Sequence, residues 1–583
     1  MRKTIVISIV TSAMLFGANV TELSTDQVNK TQNSTISNAT VDQGKTEITG
    51  VGTTVNDLTI IEKGDDGTTG NLIDNVNISG TTEGEELLLN VNQGGTSVSG
   101  DATVENVTIN SDSTINNGGD IQGAGEVSQG KTSVGGGSSL KNVEIHSTNS
   151  INNPNITGEL HVLVTQGTLE VDNNATADDN AEADNVDITS NNSIGSGVVI
   201  SDSTVRQSYT SIDGAGTTVS GLNINQTNTL NGEGEISNGS NTLQGVTKID
   251  TGADVTGLTT SVTNTIDNFN SDKSTTAQNY INIHSDSTVQ NMSVTTNGTN
   301  NNTITNTTEN NSTVAQNTIN ITNNSNLNGL TTSHNNIISD STINNGVVQQ
   351  DVIDLNNTSG SFTTNSTNTI NNVTVNSLDN QINQAVIVSN DSTLNSTSIT
   401  STNNIDSVNL NNGKIAQNYV SINKANIFGL TLNNSNSVTG TNEIGSDINN
   451  SSISQAEVII ASNGNIIDIS SLTQETTNNV TDATLNDSIV EQAKVAIGNS
   501  TVSGVGININ ATNDITSDID SSYVSQNGLK ICDSTVNNLD IDQDNDITGG
   551  TITGSTLTQG NINIAGESSD CEVLARLNTN KEY

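Results

Sequence analysis

Tryptophan is absent from this 583-residue sequence, proline occurs only at Pro154, and aromatic residues make up 2% of the chain. A large globular core normally draws much of its buried area from Phe, Tyr and Trp, so this composition argues against several conventional domains. Basic residues are also scarce, with 16 Lys and Arg against 62 Asp and Glu and a net charge of −46. Because no basic patch is available to neutralise phosphates, nucleic acid and anionic membranes are not expected as partners.

The residues that remain are Ile, Val and Leu set among Asn, Thr, Ser, Asp and Gly. Low hydrophobicity combined with a high net charge is typical of disordered chains. In this sequence, however, the aliphatic residues are β-branched and regularly placed. A polar chain of that kind folds when each short segment buries a few aliphatic side chains against a copy of itself.

The N-terminus has the pattern of a secretory signal. Arg2 and Lys3 precede an apolar stretch from Ile5 to Phe16, which is too short to span a bilayer, and the small residues Gly17 and Ala18 follow it. We therefore predict a signal peptide over residues 1–18. The mature protein is expected to be secreted or displayed on the surface of a bacterium, with no membrane insertion after the signal is removed.

A short sequence motif that begins with glutamine occurs fifteen times, from Gln43 to Gln559, at an average interval of about 37 residues. An aliphatic residue lies two positions before most of these glutamines. Thr, Val, Ile or Leu follows three positions after it, and an aliphatic residue follows five positions after it. The unit of Gln384 is the exception, and we interpret it as shifted by one residue. A repeat of this length predicts a solenoid or a similar stacked architecture.

Each unit contains three short segments whose aliphatic residues lie two positions apart, as at Leu539 and Ile541. That spacing is the period of a half-buried strand, and the Asn, Gly, Asp and Ser between segments favour turns. We predict an all-β, three-faced parallel β-solenoid of about fifteen coils. Residues 43–565 form the repeats, residues 19–42 an N-terminal cap or partial coil, and residues 566–583 a C-terminal cap.

The recurrent glutamines are interpreted as structural, because amide side chains stacked along a repeat axis satisfy one another's donors and acceptors. We expect them at a corner of the coil. The ladder prediction covers Gln93, Gln129, Gln166, Gln207, Gln316, Gln417, Gln455, Gln492, Gln526 and Gln559.

Two cysteines, Cys532 and Cys571, lie in and just after the last two units. In an oxidising compartment they are expected to form a disulfide that pins the terminal coil; the alternative is two free thiols.

Acidic side chains crowd one inserted segment. Asp172, Asp178, Asp179 and Asp184 offer hard oxygen ligands that suit Ca²⁺. The segment matches no EF-hand, so a solvated acidic loop is the favoured interpretation and a calcium site the alternative. No other cofactor is expected.

No sequence motif indicates catalysis. The four histidines fall at different offsets within the repeat, so no pair has metal-ligand spacing. Sequences typical of hydrolases, zinc proteases or nucleotide-binding loops are not found. We therefore expect a protein that is not an enzyme.

The repeat resembles secreted bacterial β-solenoids of the adhesin and filamentous-haemagglutinin type over nearly all of the mature chain. The resemblance implies a structural or adhesive protein, a cell-surface rod, fibre or matrix component. Its partners would be further copies of itself, or a glycan or protein on a host or other surface. The alternative is a carbohydrate-active β-helix enzyme, a polysaccharide lyase or hydrolase, although few basic and aromatic residues are present to form its site. Ice binding would need flat Thr-x-Thr rows in register, which the sequence does not show.

Overall fold

The structure is a computed structural model. It describes residues 19–565 apart from 27–28, 33–34, 38–39, 50, 52, 63–69, 75–76, 81, 84–85, 88–89, 117–120, 124, 136, 153–154, 173–180, 196–198, 238, 296–301, 306–307, 373, 377–380, 424–425, 441–447, 462–466, 499, 533 and 549–550. The predicted signal peptide and C-terminal cap lie outside the described residues. All regular elements within them are β-strands. No helix of the described chain is long and apolar enough to cross a membrane.

The strands pair in parallel with strands one coil away. Gln93, for example, lies opposite Gln43 on one side and Gln129 on the other. The described exception is a short antiparallel pair, Thr82–Glu83 with Glu86–Leu87. Parallel strands one repeat apart confirm the predicted all-β parallel β-solenoid. No coil can satisfy its own backbone groups, so each coil obtains its hydrogen bonds from its neighbours.

The chain divides into two compact units, residues 1–282 with 286–303 and residues 283–285 with 304–583. Each unit is a stack of coils, and each coil contributes strands to three rows. The glutamine row contains strands that end on the recurrent glutamine. Its strands are Thr40–Gln43, Asn90–Gln93, Gly125–Gln129, Asn155–Gln166, Val199–Gln207, Asn241–Gln244 and Thr275–Gln278 in the first unit, and Thr313–Gln316, Val347–Gln350, Gln381–Gln384, Lys414–Gln417, Ser452–Gln455, Ile489–Gln492, Tyr523–Gln526 and Thr556–Gln559 in the second.

The middle row follows immediately after the glutamine corner. Its strands are Thr46–Thr49, Thr96–Ser99, Thr132–Gly135, Leu169–Asp172, Thr210–Asp213 and Thr247–Ile249 in the first unit, Ile281–Ile283 at the division, and Ile319–Thr322, Ile353–Asn356, Ile387–Asn390, Val420–Asn423, Val458–Ala461, Val495–Gly498, Leu529–Cys532 and Ile562–Ala565 in the second.

The long row completes each coil. Its strands are Thr54–Glu62, Thr103–Asn116, Ser139–Ile151, Glu182–Ile194, Thr218–Ser220, Asn223–Ser237, Asp254–Thr256, Thr259–Asp272, Thr288–Gln290 and Ser293–Thr295, then Asn326–Ser339, Ser359–Asn371, Thr393–Asn411, Asn426–Gly440, Ile467–Asn486, Ser500–Asp520, Thr535–Val536 and Leu539–Ile547.

Short strands connect the rows. They are Asn71–Asp74, Asn77–Gly80, Ile121–Gly123, Asn302–Thr305, Thr308–Asn310, Thr342–Asn344, Thr374–Asn376, Ile448–Asn449 and Ile552–Thr553. Before the first recurrent glutamine, Asn19–Asp26, Asn29–Gln32 and Thr35–Ser37 pair in parallel with strands of the following coil.

A left-handed residue turns the chain at the glutamine corner in every coil. The residue directly after the recurrent glutamine has a φ between 49° and 66°. These residues are Gly44, Gly94, Gly130, Gly167, Ser208, Gly245, Asn279, Asn317, Asp351, Ala385, Asn418, Ala456, Ala493, Asn527 and Gly560. Glycine, asparagine and aspartate adopt this conformation at the lowest cost, which explains why they dominate the position.

Columns of aliphatic side chains fill the narrow interior. Val91, Val127, Val164 and Val205 lie opposite one another in successive strands, and each is 0% exposed. Burying each valine contributes roughly 1.5–3 kcal/mol relative to leaving it in water. Since successive strands lie only about 4.8 Å apart, β-branched side chains pack better in these columns than an indole ring.

The predicted shift in the unit of Gln384 is wrong. Gln384 lies opposite Gln350, and Ser389 lies opposite Leu355. Ser389 therefore occupies the interior position, where it is 0% exposed, and Val386 and Val388 face the outside of the coil. Continuous backbone pairing and the glutamine stack hold this register, and they outweigh the gain from turning one more valine inward.

Candidate functional site: the amide ladders and the C-terminal edge

The recurrent glutamines form a hydrogen-bonded ladder in each unit. After the first glutamine of each unit, the Nε2 of each glutamine donates to the Oε1 of the glutamine one coil earlier, at 2.7–2.9 Å. In the first unit the ladder joins Gln43, Gln93, Gln129, Gln166, Gln207, Gln244 and Gln278. In the second unit it joins Gln316, Gln350, Gln384, Gln417, Gln455, Gln492, Gln526 and Gln559. The structure thus places all ten glutamines of the sequence prediction at the corner, in contact with their copies.

The glutamine amides also bond to the long row, which fixes the corner against the opposite wall of the coil. Gln129 Nε2 donates to the carbonyl oxygen of Ser150 at 3.3 Å, and Gln526 Nε2 to that of Asp546 at 3.1 Å. Both amide hydrogens then have an acceptor inside a dry interior, where an unsatisfied donor would be costly.

A second ladder, made of asparagines on the long row, was missed by the sequence analysis. Each Nδ2 donates to the Oδ1 of the asparagine one coil later, at 2.7–2.9 Å. The ladder joins Asn149, Asn192, Asn228, Asn264 and Asn302, and in the second unit Asn336, Asn368, Asn403, Asn436, Asn478, Asn513 and Asn545. Every member precedes an aliphatic residue by two positions. That signal was hidden because asparagine is frequent throughout the chain.

The two ladders have opposite directions. Glutamine donors point toward the preceding coil, whereas asparagine donors point toward the following coil. At the C-terminal end of the stack, Gln559 donates back to Gln526 at 2.7 Å, and Asn545 accepts from Asn513 at 2.9 Å. The last described members therefore end the rows as a glutamine carbonyl and an asparagine amide, an acceptor and a donor that could continue the same pattern.

The last strands form an edge that is partly apolar, and we call these strands the C-terminal edge: Leu539–Ile547, Ile552–Thr553, Thr556–Gln559 and Ile562–Ala565. Among the described strands, each pairs only with a strand of the preceding coil. Ile552 is 47% exposed, Leu557 37% and Ile562 59%. An edge with unpaired backbone groups and exposed aliphatic side chains is a template for further strand pairing.

Four aspartates line the outward face of one edge strand. In Leu539–Ile547, Asp540, Asp542, Asp544 and Asp546 are exposed and alternate with half-buried residues. The residue opposite Asp546 is Asp514. Like charges on an outward edge limit unspecific pairing of strands through that face.

Of the four predicted calcium ligands, the structure describes the side chain of Asp184 alone. Asp178 and Asp179 lie outside the described residues, as does the side chain of Asp172. Asp184 is half-buried on the long row, where its Oδ1 accepts a hydrogen bond from Ser220 Oγ. In the described part of the chain, no group of three His, Cys, Asp or Glu side chains is arranged to hold a metal. Calcium binding stays a prediction.

Two buried titratable groups lie inside the second unit. Burial lowers the pKa of His334 to about 3, so the imidazole is neutral. Burial raises the pKa of Asp351 to about 6, although hydrogen bonds oppose the shift. Asn317 Nδ2 donates to Asp351 Oδ1 at 2.8 Å and Ser366 Oγ donates to Oδ2 at 2.5 Å. Neither group borders a cluster of reactive side chains among the described residues.

Cys532 ends a middle-row strand and is 1% exposed. Cys571 lies outside the described residues, so its pairing with Cys532 stays a prediction.

No protein-family model matches the chain, and no curated protein matches it significantly.

Proposed function

We propose that this protein is a non-enzymatic structural protein that works outside the bacterial cell by stacking end to end into fibres or a matrix. A second copy of the chain would occupy the C-terminal edge, with its first coil pairing onto the last strands of the first copy. Glycans or proteins on a surface would be contacted by the polar sides of the assembly. Residues 1–18 would direct export.

The observation that carries this proposal is the C-terminal edge itself. Its strands present backbone groups in the spacing that every other coil uses, and Ile552, Leu557 and Ile562 are exposed there. The strand Thr40–Gln43 has a following strand but, among the described strands, no preceding one. Joining two different surfaces head to tail makes a contact that does not close on itself, and repeated contacts of that kind give open filaments.

Negative-stain microscopy and light scattering of the mature protein test the proposal. We expect fibres or large assemblies that lengthen with protein concentration. Ile562→Lys should suppress them, because a charge on an edge strand blocks further pairing. Ile489→Lys is the matched control, since Ile489 is 48% exposed on the side of the stack rather than at its end.

Dispersed monomers at all concentrations would contradict the proposal. Dispersed monomers that cleave a polysaccharide would support a carbohydrate-active β-helix enzyme instead.

Localisation is tested by antibody labelling of intact cells and by fractionation of the culture, with protein expected on the surface or in the medium. Detection in the cytoplasm alone would oppose an extracellular role.

A further inference from the structure

The first described strands of the first unit form a second edge. We call them the N-terminal edge: Asn19–Asp26, Asn29–Gln32, Thr35–Ser37, Thr40–Gln43 and Thr46–Thr49. Among the described strands, each of them pairs only with a strand of the following coil. Val41 is half-buried there, whereas Val91, which lies opposite it in the next coil, is 0% exposed. The N-terminal edge therefore has an unpaired side, as the C-terminal edge does.

The two edges contain the same rows in the same order. In each edge a long-row strand comes first, and connecting, glutamine-row and middle-row strands follow it. The last strand of the C-terminal edge, Ile562–Ala565, belongs to the middle row, and in the other coils a long-row strand comes next. The N-terminal edge begins with such a strand, Asn19–Asp26, which pairs with Thr54–Glu62. A second copy can thus continue the coils of the first without omitting or doubling a row.

The spacing of aliphatic residues along the two edges also agrees. Ile552 and Leu557, both exposed, precede the last recurrent glutamine by seven and two positions. Ile36 and Val41 precede Gln43 by the same two distances. When the two glutamines lie opposite each other, each exposed aliphatic residue lies opposite another aliphatic residue. A shift of one residue would turn one of the two sets to the other face of its strand.

The asparagine ladder marks the same register. Asn29 Nδ2 donates to Asn71 Oδ1 at 3.0 Å, in the direction that the ladder follows elsewhere. Asn545 is the last member of the ladder, and its Nδ2 has no acceptor among the described residues. Gln43 follows Asn29 by fourteen positions, and Gln559 follows Asn545 by fourteen positions. The register that places the two glutamines opposite each other therefore also places the two asparagines opposite each other.

Charges at the outward positions affect the contact in two ways. On the middle row, Glu47 would lie opposite Asn563, which is uncharged, and both are exposed. On the long row, Asp542 would lie opposite Asp26, three positions before the paired asparagines. Salt screens exposed charges of like sign, so the contact forms best at high ionic strength.

We propose that end-to-end joining has a single register, in which the N-terminal edge of one copy pairs with the C-terminal edge of another and Gln43 lies opposite Gln559. Asn545 Nδ2 donates to Asn29 Oδ1 across the junction, and Leu557 packs against Val41. An edge strand alone accepts many partners, whereas the amide columns and the aliphatic spacing restrict this edge to one alignment of a second copy. The inference rests on the proposed function and adds the surface and the alignment by which a copy is recognised.

Disulfide trapping between two variants of the full mature chain tests the register. Both variants carry Cys571→Ser, and the remaining native cysteine, Cys532, is 1% exposed. One variant has Glu47→Cys and the other has Asn563→Cys. Directly opposite residues of parallel strands lie about 4.8 Å apart, within the Cα separation of a disulfide, whereas a shift of two residues gives about 8 Å. After assembly at high ionic strength and oxidation by air, we expect a covalent dimer joined through positions 47 and 563, identified by mass spectrometry.

Thr49→Cys in place of Glu47→Cys is the matched control. Thr49 lies on the same outward face of the strand, two positions further along, so its dimer yield with Asn563→Cys should be at least ten-fold lower. Asp42→Cys with Thr558→Cys tests the same register independently on the glutamine row, and this pair should form dimers as readily as the first.

Assemblies in which the control pair forms dimers as readily as both in-register pairs would overturn the register and retain the proposed function. If neither the unaltered protein nor the variants form assemblies or dimers, both the proposed function and the register are rejected.

Discussion

Gln384 Nε2 donates to Gln350 Oε1 at 2.7 Å, across 34 residues of chain and inside a fully buried corner. Gln350 in turn donates to Gln316 at 2.8 Å. Each glutamine is therefore both donor and acceptor, and removing one leaves two buried groups without partners.

Gln350→Leu should destabilise the second unit. The change removes the donor to Gln316 Oε1 and the acceptor of Gln384 Nε2, and each unsatisfied group costs about 1–3 kcal/mol. Urea unfolding followed by circular dichroism measures the loss. Gln349→Leu is the matched control, because Gln349 is half-buried outside the ladder and surface substitutions usually change stability by less than about 0.5 kcal/mol. Equal losses in the two variants would show that the ladder contributes nothing.

Gly167→Ala should lower the free energy of unfolding more than Gly560→Ala does. Both glycines follow a ladder glutamine, with φ of 59° and 63°, so both pay about 1–2 kcal/mol for a side chain in left-handed backbone. A Cβ at Gly167 would also lie 2.6 Å from Ser190 Oγ and 2.9 Å from the amide of Asn192, whereas a Cβ at Gly560 would meet no atom within 4 Å. Overpacking adds about 1–3 kcal/mol. Thermal unfolding of the two variants measures the difference, and a larger loss for Gly560→Ala would contradict it.

Asp351→Asn should flatten the pH dependence of stability. The folded pKa of Asp351, about 6, lies above its ordinary value of 3.8. The folded state thus binds more protons than the unfolded state between these values, and stability falls as pH rises from 4 through 6. One pKa unit corresponds to about 1.4 kcal/mol, so the unaltered protein should lose about 3 kcal/mol over this range.

In the asparagine variant Oδ1 still accepts from Asn317 Nδ2, and the new Nδ2 can donate to Ser366 Oγ, which donates to Asp351 Oδ2 in the unaltered protein. Asparagine suits this corner, since Asn317 occupies the same position one coil earlier. Denaturant unfolding at pH 4 and pH 7.5 measures the effect, and Asp482→Asn, at an exposed position of the long row, is the comparison. An unchanged pH profile in Asp351→Asn would show that another group titrates.

Lys494→Met should destabilise the second unit strongly. Burial opposes the charge on Lys494, but the carboxylates of Glu457 and Glu491 outweigh it and raise its pKa above the usual value for lysine. The change breaks the ion pair between Lys494 and Glu457, whose side chain is 0% exposed, and breaking a buried pair by removing one partner costs about 3–5 kcal/mol.

Lys131→Met is the control for that change. Lys131 pairs with Glu126 and Glu170, whose side chains are 24% and 30% exposed, so its loss should cost no more than about 1 kcal/mol. Adding Glu457→Gln to Lys494→Met should recover part of the stability. Denaturant unfolding of the unaltered protein, the two single variants and the double variant measures these stabilities. A double variant less stable than Lys494→Met would contradict the role given to the ion pair of Lys494 and Glu457.

Sequence alone determined the repeat and the strand period of its segments. The recurrent glutamine, the aliphatic residues two positions apart and the Gly or Asn that follows most of the glutamines are local properties. They predict stacked parallel strands because no coil satisfies its own backbone. The left-handed corner residues follow from the same pattern, since Gly44 and Asn418 occupy equivalent positions.

Only the tertiary structure decided which amides meet and which aliphatic residues face outward. Asn149 and Asn192 are 43 residues apart and look like their neighbours in an asparagine-rich chain, and their hydrogen bond depends on the register of the coils. Val386 and Val388 have the composition of a core strand, yet Ser389 occupies the interior. The register of strand pairing sets these outcomes, because it depends on chain segments that are distant in sequence and adjacent only once the coils have stacked.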